Sequence, residues 1–321
     1  MTVIVPDADR LPVIVVTGFL GSGKTTLLRH LLQAPEFADT AVIINEFGQT
    51  GLDHVLVETS EDSILLLENG CLCCGLRSDL VSTLLDLLQR RERGEVPAFR
   101  RVVIETSGLA DPVPLLQTFI TDPLRLSLFD PGGVVTCLDA VNGSLSIDRH
   151  RNAGRQLALA DTIVITKGDL ASSSDVMDQA RRRNGRARIV EAPMGRADPR
   201  DVLRRPLAMD FDDMPCGNGH GSIVSVTLED IRPLTWLEVE GAVGSLVARH
   251  GERLLRLKGL LDVDGAAGPV AIDGVQHLFH RPRVLETWPG GVAAPVLVAI
   301  AEGTTRQELE NWLRTACSSP A

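Results

Sequence analysis

Gly18-Phe-Leu-Gly-Ser-Gly23-Lys24-Thr25 matches the pattern G-x-x-x-x-G-K-[ST] at every position. The β-branched run Val13 to Thr17 precedes it, and Thr25 to Gln33 follows with Leu27, Leu28, Leu31 and Leu32 at helical spacing. Strand, glycine turn and helix in that order are the context of a phosphate-binding loop. Glycines let backbone N–H groups turn inward around phosphate oxygens, and the helix N-terminus adds a favourable partial charge. Gly18, Gly21, Ser22 and Gly23 are expected to cradle the phosphates, with Thr26 beside them. The Lys24 ammonium is expected on the β- and γ-phosphates, and the Thr25 hydroxyl on Mg²⁺.

Further strands read outward from this loop: Ala41 to Asn45, Ile64 to Leu67, Arg101 to Glu105, Gly133 to Leu138 and Thr162 to Thr166. Most are almost continuously apolar, as expected of strands covered on both faces of a parallel sheet. Leu76 to Glu92 supplies a helix with Leu80, Leu84, Leu87 and Leu88 at helical spacing. This alternation predicts an α/β phosphate-loop NTPase domain around a mostly parallel sheet, over residues 11–209. Residues 210–221 (DFDDMPCGNGHG) are polar and aperiodic and read as a linker. Residues 222–317 read as a smaller C-terminal α+β domain. It has a strand over Ser222 to Glu229 and a helix over Thr235 to His250. Further strands lie near Leu255 to Asp262 and Pro295 to Ala301, and a closing helix covers Thr305 to Ala316.

Composition narrows the partners. The 321 residues are 44% hydrophobic and 23% charged, the balance of a folded globular chain. No apolar run approaches the roughly 18 residues needed to cross a bilayer. The first ten residues lack the apolar core of a signal peptide, so a cytoplasmic location is expected. With 42 acidic and 32 basic residues the formal charge is −10, which gives no general attraction to nucleic acid or to a membrane surface. Arg181 to Arg205 holds nine arginines, yet no aromatic residue falls between Phe129 and Phe211 to stack on bases. That run reads as a solvated surface. His277 and His280 read as strand-surface residues, and Trp236, Trp288 and Trp312 as core or interface anchors.

Two further segments complete a nucleotide site on paper. Arg101 to Glu105 ends in an acid and continues Thr106-Ser107-Gly108. Glu105 would complete the Mg²⁺ site, and the Gly108 N–H would sense the γ-phosphate, as switch loops do. Thr166-Lys167-Gly168-Asp169 resembles the guanine-reading N-K-x-D, with Thr166 in place of Asn. Asp169 would accept from guanine N1 and N2, which adenine cannot match, and the Lys167 stem would lie over the base. GTP is therefore favoured over ATP.

Cysteines form the compositional anomaly. Three of six, Cys71, Cys73 and Cys74, fall within four residues, and Cys137, Cys216 and Cys317 are scattered. A thiolate cluster before a helix suits Zn²⁺ or another thiophilic ion and leaves one tetrahedral position open. Buried apolar thiols and a redox pair are the competing readings.

The phosphate loop, Asn45-Glu46-Phe47-Gly48 with Gly51 and Asp53, ENGCLCC, Glu105 to Pro112 (ETSGLADP) and TKGDL together resemble the CobW-like family of metallochaperone GTPases. LKGLLDVDG and the closing ELENWLRTA resemble that family's C-terminal domain, so nearly the whole chain is covered. The resemblance implies a GTPase of the SIMIBI class, related to those that insert nickel into hydrogenase and urease. It further implies Zn²⁺, Co²⁺ or a similar ion at Cys71, Cys73 and Cys74, and GTP hydrolysis coupled to delivery to a client metalloprotein. Residues 45–53 become a first switch, with Glu46 or Asp53 near Mg²⁺ or the transported metal. Related GTPases work as dimers, which makes a homodimer the expectation. The inter-domain segment holds only His220, so a metal-storing histidine tract is absent. Lys24, Glu105 and Gly108 carry the expected catalysis. Intrinsic turnover should be slow, because no arginine finger can be assigned. Two other readings stay open: a phosphate-loop ATPase or kinase acting on a small molecule, and a nucleotide-regulated metal sensor without turnover.

Overall fold

A computed structural model describes residues 10–44, 64–68, 76–121, 126, 128–203, 223–229, 231–289 and 294–318. They group into two compact units. One comprises residues up to 177 with 188–205, and the other comprises 178–187 with the residues from 206 onward.

The first unit is built on seven parallel strands. These are β1 (Leu11–Thr17), β2 (Thr40–Ile44), β3 (Ile64–Glu68), β4 (Arg101–Glu105), β5 (Phe129–Asp139), β6 (Thr162–Thr166) and β7 (Arg188–Ala192), in the order β3-β2-β4-β1-β5-β6-β7. Every residue of β2 and β6 is buried, the signature of strands sandwiched between helices. Helix α1 (Lys24–Leu32) lays Leu27, Leu28 and Leu31 against Ile14, Val16, Val103, Val135 and Val164. The other helices of this unit are α2 (Leu76–Glu92), α3 (Val113–Thr121), α4 (Gly143–Arg149), α5 (Arg151–Leu159) and α7 (Pro199–Leu203), and α6 (Ser174–Arg183) begins in it and runs past its boundary at residue 177.

The strand order positions the site. β1 lies between β4 and β5, where the direction of winding across the sheet reverses. In open α/β sheets, ligands bind beyond the carboxyl ends of the strands at such a point. β5 is longer than its apolar core suggests, because it begins at Phe129 and carries Pro131 and Gly133 within it. Both read as strand breakers, and the register of β1 against β5 shifts there, between Val13 and Ile14. β7 escapes a hydrophobic reading for another reason. It is a half-exposed edge strand of five residues in which charged Arg188 and Glu191 interrupt the apolar run.

The second unit has six strands in an antiparallel sheet: β8 (Ile223–Leu228), β9 (Leu254–Leu261), β10 (Val270–Val275), β11 (Leu278–Phe279), β12 (Arg283–Val284) and β13 (Val296–Glu302). Helices α8 (Trp236–His250) and α9 (Arg306–Ser318) cover one face, with Leu246, Leu309 and Leu313 against Val226, Leu257 and Leu297. Both helices start with reciprocal caps. The Glu238 N–H donates to Thr235 Oγ1 at 3.2 Å while the Thr235 N–H donates to Glu238 Oε2 at 2.7 Å, and Thr305 and Glu308 repeat the arrangement.

Three side readings change. His277 lies in the turn after β10 and His280 just beyond β11, so neither sits on a strand. Trp288 and Trp312 pack on hydrophobic clusters, while Trp236 opens α8 exposed, which takes it out of the core and leaves only the interface half of that expectation. Several arginines of the basic run are engaged rather than simply solvated: Arg188 pairs with Asp201, and Arg186 lies 3.5 Å from Glu229. No described helix is long and apolar enough to cross a membrane.

Candidate nucleotide site

The phosphate loop leaves β1 and enters α1 through glycines at φ 141° (Gly18), 69° (Gly21) and 88° (Gly23). At Gly18 a Cβ would lie 2.4 Å from the Cys137 carbonyl oxygen and 2.7 Å from Ser22 Oγ, so no side chain fits. Lys24 is buried, and its Nζ donates to the carbonyls of Gly18 at 3.0 Å and Phe19 at 3.3 Å. The ammonium thus lies across the loop, where phosphate oxygens would replace those carbonyls as its acceptors.

The loop is tied to β4. Thr25 Oγ1 donates to Glu105 Oε1 at 2.8 Å, and Glu105 is only 5% exposed. Thr106 donates its hydroxyl to Thr17 at 2.8 Å and its N–H to the Val16 carbonyl at 2.9 Å, which clamps the end of β4 to β1. The following loop rests on the phosphate loop itself. A Cβ on Gly108 would lie 2.8 Å from the Leu20 backbone nitrogen, so Gly108 permits a backbone-to-backbone approach.

The other end of the site gathers β5, β6 and the turn after β7. Thr166 Oγ1 donates to the Ser22 carbonyl at 2.7 Å, so a hydroxyl ties this segment to the phosphate loop where the guanine-reading pattern has an amide. Lys167 adopts φ 57°, and its Nζ donates to Asp139 Oδ2 at 2.6 Å, anchoring the far end of the side-chain stem. Asp139 Oδ1 accepts from the N–H groups of Val141 at 2.7 Å and Asn142 at 3.3 Å. Burial works to raise the Asp139 pKa. The Lys167 hydrogen bond and the two N–H groups outweigh it and hold the carboxyl below its ordinary value. Asp169 is exposed, and its Oδ1 accepts from the Met194 N–H at 2.8 Å. Met194 has φ 52° and an exposed side chain, and the adjacent Gly195 sits where a Cβ would be 2.8 Å from Thr26 Cγ2.

Gly18, Ser22, Gly23, Lys24, Thr25, Glu105, Gly108 and Thr166 are therefore linked into one assembly, with Gly21 in the same loop at φ 69°. Lys167 and Asp169 are positioned through Asp139 and Met194, and Thr26 borders the same turn as Asp169. Asp139 and Met194 escaped the sequence reading. Asp139 was findable, since it ends an apolar strand as Glu105 does, but nothing about Pro193-Met194-Gly195 marks it locally. Cys137 lies behind the loop, 1% exposed. Burial pushes its thiol up to about 12; Lys24 opposes the shift and Glu105 adds to it. Glu46, Asp53, Cys71, Cys73 and Cys74 lie outside the described residues, as does Cys216. Among the described residues no group of three or more His, Cys, Asp or Glu is placed to hold a metal ion.

Comparison with known proteins adds a family. The model of the CobW/HypB/UreG nucleotide-binding domain matches residues 12–191, and that of the cobalamin synthesis protein cobW C-terminal domain matches residues 223–317. The zinc chaperone YjiA of Escherichia coli (strain K12) is 33% identical over 284 residues, covering 84% of this chain and 88% of its own. The zinc-regulated GTPase metalloprotein activator 1 of Saccharomyces cerevisiae is 32% identical over 334 residues, covering 86% of this chain and 76% of its own. The crystal structure of Zn(II)-bound YjiA GTPase from E. coli aligns with TM-score 0.73 at 26% identity, over 96% of this chain and 99% of that one.

Proposed function

This chain belongs to the CobW/HypB/UreG family, and from that premise we propose that it is a GTP-hydrolysing metallochaperone. It binds Zn²⁺, or Co²⁺ or a similar ion, at Cys71, Cys73 and Cys74 and delivers it to a client metalloprotein in the cytoplasm. The observation that carries the nucleotide half is the Thr25–Glu105 contact of 2.8 Å at the mouth of a complete phosphate loop. A hydroxyl and a carboxylate there are hard oxygen donors that fit Mg²⁺, which would neutralise phosphate charge when bound. Lys24 binds and orients the β- and γ-phosphates. Glu105 holds the Thr25 hydroxyl in place, and the Gly108 loop closes over the γ-phosphate. Thr166, Lys167 and Asp169 select guanine.

The metal half is supported by the C-x-C-C spacing and by the names of the relatives, which are zinc chaperones and a zinc-regulated activator. GTP orders residues 45–53 with Glu46 and Asp53, tightening the thiolate site, and hydrolysis loosens it. Turnover by the isolated chain is slow, because a client or a second copy supplies the missing catalytic group. Residues 11–209 form the GTPase domain and residues 222–317 the C-terminal domain, with 210–221 as the linker. Zn²⁺ titration in the presence of Mg-GTP tests the reading. Replacing Cys71, Cys73 and Cys74 together by Ser should abolish tight binding, and unchanged Zn²⁺ affinity overturns the proposed site.

A further inference from the structure

Helix α5 meets the loop after β4 through three polar side chains. Asn152 Nδ2 donates to the Leu109 carbonyl at 2.7 Å, and Gln156 Nε2 donates to the carbonyls of Gly108 at 3.2 Å and Ala110 at 2.9 Å. Arg155 pairs with Asp111, whose Oδ1 accepts from the Val113 N–H at 3.0 Å and starts α3. Every residue from Gly108 to Asp111 is therefore gripped by one helix. Gln156 is the buried member, with 0% exposure. Two carbonyl acceptors require the NH₂ side of its amide to face the loop, because the flipped amide would set oxygen against oxygen.

The same helix is referenced to the sheet. Thr136 on β5 donates its hydroxyl to the Gln156 carbonyl at 2.8 Å, and Thr136 stands opposite Thr17, the last residue of β1 before the phosphate loop. His150, which caps α5, stacks on Phe19 of that loop with ring centroids 4.4 Å apart. The chain from Thr136 through Gln156 to Gly108 thus measures the height of the switch loop from the strand that presents the phosphates. Gly108 has no latitude of its own, since it lies against the Leu20 backbone.

We propose that Gln156, assisted by Asn152 and Arg155, is a positioning residue that sets the Gly108–Asp111 loop for reading the γ-phosphate. This rests on the GTPase reading above. It makes the loop's response to GTP, and not the binding of nucleotide as such, dependent on α5. GDP lacks the group the loop reads, so GDP affinity does not depend on the amide.

The test compares GDP and the non-hydrolysable analogue β,γ-imido-GTP on the full chain, together with kcat for GTP and the melting temperature. In Gln156→Leu, kcat and analogue affinity should each fall by about tenfold, the loss of two hydrogen bonds, while GDP affinity stays within about twofold. Asn152→Ala removes one bond at a position less buried than Gln156, and should move the same ratio about threefold. If Gln156→Leu does not fold, Asn152→Ala decides alone. An unchanged GTP-to-GDP ratio in the folded variants overturns the proposal. So does an equal fall for both nucleotides alongside the melting temperature, which marks a purely structural role. If the unaltered chain binds neither GDP nor the analogue, the underlying GTPase reading falls instead, whatever the variants do.

Discussion

The two halves of the nucleotide site are built by different means. The phosphate half is backbone: glycines at positive φ, a lysine folded over two carbonyls, and a helix start. The half proposed to read the base is side-chain pairing between strand ends. Lys167 meets Asp139 across β5 and β6, Asp169 takes the Met194 N–H, and Thr166 holds the Ser22 carbonyl. Backbone cradles accept any nucleotide phosphate, whereas paired side chains can be tuned to one base. Affinity and selectivity should therefore separate along this line.

The largest expected effect lies in the phosphate half. Lys24→Ala should weaken GTP and GDP together, by about 3 kcal/mol or roughly a hundredfold for the loss of charge-assisted hydrogen bonds. Equilibrium titration checks this, and a variant that loses guanine preference rather than affinity would break the division. Asp139→Asn probes the other half. Lys167 is about a third exposed, with 32% of its side chain accessible, so solvent screening reduces the pair to about 1 kcal/mol. The guanine-over-adenine ratio should fall roughly fivefold while total phosphate affinity holds. A uniform loss for both bases would place Asp139 with the cradle instead.

Cys137, which lines the back of the phosphate half, gives the smallest and most diagnostic effect. Its folded pKa is raised, to about 12. The stability from its neutral thiol is complete below the ordinary thiol range and drains away as pH climbs toward the folded value. Native protein at pH 8 should leave Cys137 unmodified by a thiol reagent, and alkaline unfolding should come later in Cys137→Ser. Rapid labelling at pH 8 would mean that the wall behind the loop opens in the native state.

How legible each part was follows from how local its determinants are. The eight residues of the phosphate loop carry their whole requirement in one stretch, and β1, β2, β4 and β6 announce themselves because burial on both faces demands unbroken apolar runs. Thr235 and Glu238 similarly mark the start of α8 within four residues. Asp139 showed only as an acid ending an apolar strand, and Met194 and Gln156 carried no local mark at all. Each is an ordinary residue whose partner lies 28, 25 or 48 positions away. The polar edge strand β7 and the Pro131-bearing start of β5 were hidden because neither obeys the hydrophobic periodicity that reveals a strand.

By itself, then, the order of residues determined that a strand, a glycine turn and a helix would make a phosphate cradle. It also determined that an α/β sheet would carry the cradle and a smaller α+β unit would follow it. These depend on local backbone preference and on the period of apolar side chains. Only the tertiary structure decided that Thr166 replaces an amide by reaching the Ser22 carbonyl, that Asp139 secures Lys167, and that α5 holds the loop beyond Glu105. The reason is geometric. Hydrogen-bond partners are chosen by which strand ends the winding of the sheet brings within 3 Å or so of one another, and that depends on the packing of the whole sheet.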